Sequence, residues 1–311
     1  MSLAAVVIGR NEGARLLTCL DALQGRIEQL LYVDSGSTDG SAEAARARGA
    51  KVIDLDLSIP FTAARARNAG LAVLDEDVRY VQFLDGDCEI REGWIETAQA
   101  FLDASPEIAV VCGRRRERHP EASLYNRLID REWDTPVGPA KACGGDALMR
   151  VAALRDVGGY RDNLIAGEEP ELCVRLRANG WQVHRLEAEM TWHDADIKRF
   201  SQWWQRSKRT GHAFAEGAHL HGAAPERHWV KETRRALIWG AGLPLLILLL
   251  GLLITPWAWL LALIYPLQIL RLTPQGGLPW AFFTTLAKFA EAQGALGFYL
   301  RRRPTRIIEY K

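Results

Sequence analysis

The sequence predicts an α/β protein, a mostly parallel β-sheet flanked by helices, followed by a C-terminal membrane-associated helical region. Three observations carry this. The first 110 or so residues alternate short apolar runs with helical patterns in the order β-α-β-α-β-α-β, joined by short links, as in a parallel sheet covered by helices. Two polar, glycine-containing turns, Ser35-Gly-Ser-Thr-Asp-Gly40 and Asp85-Gly-Asp87, stand at strand ends, where such sheets bind ligands. Between Arg235 and Arg271 lie 35 consecutive residues without a formal charge, which is membrane sequence.

The elements follow in order. Leu3–Ile8 reads as a buried strand, and Asn11 as the cap of a helix with the apolar stripe Leu16, Leu20 and Leu23, stopped at Gly25. Leu30–Val33 is the second strand, and after the Ser35–Gly40 turn the helix Ala42–Arg48 closes at Gly49. Lys51–Leu55 is strand-like, Ala63–Leu74 is helical, and Arg79–Leu84 is the strand that delivers Asp85-Gly-Asp87. Ala142-Cys-Gly-Gly-Asp-Ala147 reads as a loop, Glu171–Ala178 as a helix ending at Gly180, and Arg114-Arg-Arg116 as a solvated or membrane-facing cluster. Arg199, Trp203 and Arg206 share one helix face, suited to an anionic diphosphate or lipid headgroup.

The chain divides at about residue 230, into a 1–230 domain and a 231–311 membrane-associated region. Ala236–Thr255 is 20 residues long, enough at about 1.5 Å per residue to cross the roughly 30 Å hydrocarbon layer. Pro256 ends it, and Trp257–Leu270 reads as a shallower second arm, giving a hairpin over about 236–271. Phe282, Leu286, Phe289, Leu296 and Leu300 line one face of an interfacial amphipathic helix at about 279–301, with Lys288 and Glu291 elsewhere on it. Lys231, Arg234 and Arg235 before the hairpin, and Arg301-Arg-Arg303 with Arg306 after it, place both flanks on the cytoplasmic side of the inner membrane. Eight of the eleven tryptophans fall from Trp192 onward, as at a bilayer interface.

Composition limits the function classes. The formal net charge is +1, so no nucleic-acid partner is expected. The five cysteines are scattered, with no C-x-x-C pair, so neither a disulfide framework nor a zinc site is indicated. Two carboxylates around a glycine at a strand end suit a hard divalent cation, Mn²⁺ or Mg²⁺, which takes oxygen ligands together with substrate phosphates.

Five ordered motifs are similar to those of the family 2 glycosyltransferases. They are Val6-Val-Ile-Gly-Arg-Asn-Glu12, Val33-Asp-Ser-Gly-Ser-Thr-Asp-Gly40, Ala66-Arg-Asn-Ala-Gly70, Leu84-Asp-Gly-Asp87, and Gly158-Gly-Tyr160 followed by Gly167-Glu-Glu-Pro-Glu-Leu172. The resemblance spans about residues 3 to 215 and implies a GT-A fold and an inverting, metal-dependent enzyme using a nucleotide-diphosphate sugar.

It also implies roles. Arg10, Asn11 and Glu12 line the nucleotide pocket, Asp34 bonds the base or ribose, and Asp39 contacts the nucleotide or caps the next helix. Arg65 or Arg67, with Arg67 preferred, supplies a cation near the donor. Asp85 engages the ribose, and Asp87 with His193 holds the metal. Asp146 binds an acceptor hydroxyl and Glu169 is the general base, while Trp203 and Arg206, from their shared helix face, are candidates to serve the acceptor or diphosphate. Glu169 stands where the family usually has aspartate, and Pro170 follows it, so the acceptor is expected to sit differently. The family's processive Gln-x-x-Arg-Trp motif is replaced by Arg199-Phe-Ser-Gln-Trp-Trp-Gln-Arg206. The expectation is therefore transfer of one sugar to a membrane-associated, lipid-linked or glycan acceptor. A processive polysaccharide synthase and a non-catalytic assembly partner are the alternatives.

Overall fold

The computed structural model describes residues 2–301. The chain runs β1 (Ser2–Gly9), α1 (Ala14–Leu23), β2 (Gln29–Asp34), α2 (Ser41–Ala47), β3 (Lys51–Asp54), α3 (Ala63–Ala72), β4 (Val78–Asp85) and β5 (Cys88–Ile90). It continues α4 (Trp94–Ala104), β6 (Ile108–Glu117), α5 (Leu124–Glu132), β7 (Gly138–Ala140), β8 (Ala147–Arg150), α6 (Val151–Asp156), α7 (Glu168–Ala178) and β9 (Gln182–His193). Then come α8 (Phe200–His221), α9 (Val230–Leu237), α10 (Leu243–Leu253) and α11 (Ile264–Arg301). The chain forms two compact units, Met1–Lys198 and Arg199–Lys311, a division some thirty residues ahead of the composition change near 230.

In the first unit the strand order is β3-β2-β1-β4-β8-β6-β9-β5, with β7 on β9. The block β3-β2-β1-β4 is parallel throughout. Beyond it the sheet is mixed, since β8 is antiparallel to β4 and β6 while β6 and β9 are parallel. The expected mostly parallel sheet thus holds for the β-α-β-α-β-α-β stretch only. The later strands alternated too weakly with helices to reveal their directions.

Ala4 to Val7, Leu31 to Val33 and Val81 are inaccessible, as expected for strands covered on both faces. Helix α3 packs on β1 so closely that a Cβ at Gly70 would lie 2.4 Å from Val6 Cγ1. Helix α1 starts after Gly13, and Asn11 does not cap it.

In the second unit, Val230–Leu253 is a continuous helical stretch of 24 residues, the one candidate among the described residues long and apolar enough to cross a membrane. The expected second arm is not one α-helix. Pro256–Leu263 is a 3₁₀ segment and α11 begins at Ile264, with the Tyr265 hydroxyl donating to the Trp239 carbonyl at 2.7 Å. Helix α11 breaks at Gly277 (φ 81°), close to the expected start of the interfacial helix.

The last stretch presents apolar residues outward and holds a charged one inside. Phe282, Leu296 and Leu300 are exposed, whereas Glu291 is buried and pairs with Lys288 at 2.6 Å. This places Glu291 against α8, where a Cβ at Gly211 would fall 2.0 Å from the Glu291 carbonyl oxygen. Leu252, Leu253, Ile254 and Trp257 are 67–78% exposed. Arg302, Arg303 and Arg306 of the expected C-terminal basic cluster lie outside the described residues.

Candidate active site

The carboxyl ends of β1, β2 and β4 adjoin, and the loops that follow them are tied together. Asn11 (φ 55°) donates its backbone N–H to Ser37 Oγ at 2.9 Å, and its Oδ1 accepts the Thr38 N–H at 2.8 Å. Asp39 accepts the N–H groups of Gly13 and Ser41, each at 3.0 Å, so it both bridges the two loops and steadies the start of α2. The Ser41 bonds hold its carboxyl below the usual carboxylate range. Asp34 is buried, accepting the N–H groups of Gly36 and Ser37 (2.9 and 2.8 Å) and the Tyr32 hydroxyl (3.0 Å). Its carboxylate shapes the turn here. Arg10 is exposed beside this loop, and Glu12 pairs with Arg15 at 2.8 Å.

At the end of β4, Gly86 donates to the Ile8 carbonyl at 2.8 Å and turns the chain so that Asp85 and Asp87 diverge. Asp85 pairs with Arg67 at 2.7 Å, and the same guanidinium reaches Glu168 at 2.8 Å. Arg67 is 2% exposed. Burial opposes its charge, but the two carboxylates outweigh burial and push its pKa up, so it stays a cation. Arg65 instead bonds the carbonyls of Asp56, Ile59 and Pro60.

Asp87 lies on the other side of the turn, its Oδ1 3.2 Å from His193 Nε2. The β5–β9 pairing sets Cys88 opposite His193 and so fixes this approach. Trp133 stacks on the imidazole with ring centroids 4.6 Å apart and planes 5° from parallel. Burial, aided by the nearby Arg115 cation, pushes the His193 pKa down, which favours the neutral ring that ligates metal. His193 Nδ1 is buried without a hydrogen-bond partner among the described residues. A carboxylate oxygen beside a neutral imidazole, both buried, fits Mn²⁺ or a similar cation.

Other expected site residues are placed differently. Asp146 is fully buried and spoken for: Arg115 pairs with it at 3.1 Å, Thr191 Oγ1 donates at 3.0 Å and the Asp85 N–H at 3.4 Å. It cannot receive an acceptor hydroxyl and instead braces the acidic turn from below. The Arg114–Arg116 run is not a solvated cluster either. Arg114 pairs with Asp130, Arg115 with Asp146 and Arg116 with Glu189. Arg115 and Trp133 escaped the sequence reading because nothing in a basic run or a lone tryptophan marks a support for the site. Trp203 belongs to the second unit, buried edge-on against Phe283 at 4.9 Å, so its ring is not presented to a ligand. Arg206 is half-buried on the same helix.

Glu168 and Glu169 open α7. Glu169 is buried, its Oε1 accepting the Cys143 N–H at 2.7 Å and its Oε2 the Gly144 N–H at 2.8 Å. The Cys143 and Cys173 thiols also donate to Oε1, at 2.8 and 2.9 Å. Glycine is required in the facing segment. Gly144 has φ 87° and a Cβ there would meet Arg115 Nη2 at 2.5 Å, while one at Gly145 would meet Arg67 Nη2 at 2.7 Å.

An acidic pair at the end of a parallel block, a buried arginine and a carboxylate–imidazole pair thus stand together in an α/β protein of GT-A-like fold. Residues 5–156 match the family model for "Glycosyl transferase family 2". A pre-mycofactocin glycosyltransferase of Mycobacterium tuberculosis is 31% identical over 142 residues, 42% of this chain and 30% of that protein. The chain therefore spans under a third of that relative's length. The succinoglycan biosynthesis protein ExoA of Rhizobium meliloti is 23% identical over 63% of this chain and 64% of its own. Among solved structures, a mannosyltransferase from Pyrobaculum calidifontis in complex with GDP-Man and Mn²⁺ has a TM-score of 0.62 at 19% identity, covering 94% of this chain and 86% of that one.

Proposed function

We propose that this protein is a membrane-anchored, inverting glycosyltransferase that moves one sugar from a nucleotide-diphosphate sugar to a lipid-linked or glycan acceptor in cell-envelope synthesis. The observation that carries the reading is the acidic turn at the end of β4, with Asp85 held by Arg67 on one side and Asp87 beside His193 on the other. The relatives and the neighbour bound to GDP-Man and Mn²⁺ support it. Arg10, Asn11, Glu12 and Asp34 border the nucleotide, and Asp85 faces the ribose. Asp87 and His193 would hold a divalent cation, which when bound neutralises charge on the leaving diphosphate.

Glu169 is the proposed general base. Oε2 accepts a single N–H bond and keeps a lone pair for the acceptor hydroxyl proton, while the bonds to Cys143 and Gly144 fix the carboxylate's direction. Glu168 is the rival, because its side chain is 13% exposed; it is held in an ion pair with Arg67 at 2.8 Å. The Val230–Leu253 helix anchors the chain, with the 256–301 stretch returning to the cytoplasmic side of the inner membrane.

The test is release of nucleoside diphosphate from a panel of nucleotide sugars by the full chain in lipid vesicles, with and without polyprenyl-linked acceptor. Release that depends on acceptor and is abolished by EDTA is expected. Donor binding without turnover on any acceptor would instead identify a non-catalytic assembly partner, and products many sugars long a processive synthase.

A further inference from the structure

We propose that Cys143, Cys173 and Glu169 form a second metal site, selective for a thiophilic divalent cation such as Zn²⁺. Glu169 and Cys173 are four residues apart on α7 and so lie on one helix face. Cys143 comes from the irregular segment between β7 and β8, brought in by its N–H bond to Glu169. One ligand atom from each of the three residues lies within 4.8 Å of the others, and both thiols donate to the same carboxylate oxygen.

The donor set, two sulfurs and an oxygen, distinguishes this site from the Asp87–Cys88–His193 group, which offers one oxygen, one sulfur and one nitrogen. Two sulfurs and one oxygen suit Zn²⁺ or Cd²⁺, whereas Mg²⁺ has no use for thiolates. With metal–sulfur bonds of about 2.3 Å and a metal–oxygen bond of about 2.1 Å, tetrahedral ligand atoms stand roughly 3.6–3.8 Å apart. The S···O pairs of 2.8 and 2.9 Å therefore open by less than about 1 Å, a shift the Cys143 segment can make. On binding, each thiol releases its proton to solvent, two S–metal bonds and one O–metal bond form, and water or the neighbouring Cys112 takes the fourth position. Arg177, whose charge acts on Cys173, offsets the net negative charge of the loaded site.

The consequence for transfer rests on the Glu169 reading above. A cation bound to its carboxylate withdraws the base, so Zn²⁺ inhibits where Mn²⁺ supports turnover.

The experiment titrates Cd²⁺ into the reduced full chain with excess Mg²⁺ and follows the ultraviolet sulfur-to-metal charge-transfer band. A band saturating at one equivalent is expected in the wild type and in Asp87→Ala, with at least a tenfold weaker midpoint in Cys143→Ala and in Cys173→Ser. Cys143→Ala sits on an irregular segment and keeps the test valid if Cys173→Ser fails to fold. No band in the wild type, or an unchanged band in Cys143→Ala, overturns the site. A band accompanied by undiminished sugar transfer in Zn²⁺ upholds the site and overturns the inhibition, and with it the assignment of Glu169. Loss of Mn²⁺-dependent donor binding bears on the first site alone.

Discussion

Asp87 and His193 meet because a strand-end turn and a facing β-strand deliver them to one point, with their polar atoms 3.2 Å apart. Asp87→Ala should abolish the Mn²⁺-dependent part of nucleoside-diphosphate affinity while leaving the fold intact. Calorimetry with and without EDTA measures this, and equal affinities would remove Asp87 from the metal site. For the base, Glu169→Gln keeps the shape but removes the basic lone pair, so turnover should fall by about 10²–10⁴-fold with donor affinity retained. Glu168→Gln should lose far less. The reverse ranking transfers the role to Glu168. Glu169→Asp draws the carboxylate back by about one methylene; a displacement near 1 Å can cost about 10²-fold, so this change should also impair turnover.

Between elements, the link that matters most is Arg67 of α3, which joins the end of β4 to the start of α7 through Asp85 and Glu168. Removing one partner of a buried ion pair typically costs about 3–5 kcal/mol, because the carboxylates left behind lack compensation. Arg67→Met should therefore lower the thermal midpoint by several degrees and weaken donor binding as well. Loss of donor binding at an unchanged midpoint would mean that Arg67 acts on the ligand alone. Gly145→Ala tests the same contact from the opposite side, since its Cβ would stand 2.7 Å from Arg67 Nη2. A drop in donor affinity is expected there, read by the same calorimetry.

For the molecule as a whole, much of the Leu245–Leu270 stretch is apolar and outward-facing, a surface that the proposed membrane anchor would cover with lipid. A reporter fused after Lys311 should behave as cytoplasmic, and one inserted near Pro256 as external or membrane-buried. An external signal at Lys311 would mean an odd number of crossings and would end the interfacial reading of the last helix.

The sequence alone carries the parallel block, since each of its strands is a short, continuous apolar run bounded by turn residues, a local signal. It equally determined the acidic turn, Glu168-Glu169 at a helix start, and the charge-free stretch. Tertiary structure alone decided which polar groups meet. Asp146 read as a ligand because a glycine-rich loop advertises access, yet Arg115 and Thr191, from strands remote in sequence, enclose it. The mixed half of the sheet was hidden for the same reason, as strand direction depends on pairing between distant segments. Three of the cysteines, Cys112, Cys143 and Cys173, are 31 and 30 residues apart and suggested no site, but folding brings all three around Glu169. Periodicity and turn chemistry are properties of neighbours along the chain, whereas burial and pairing are properties of neighbours in space.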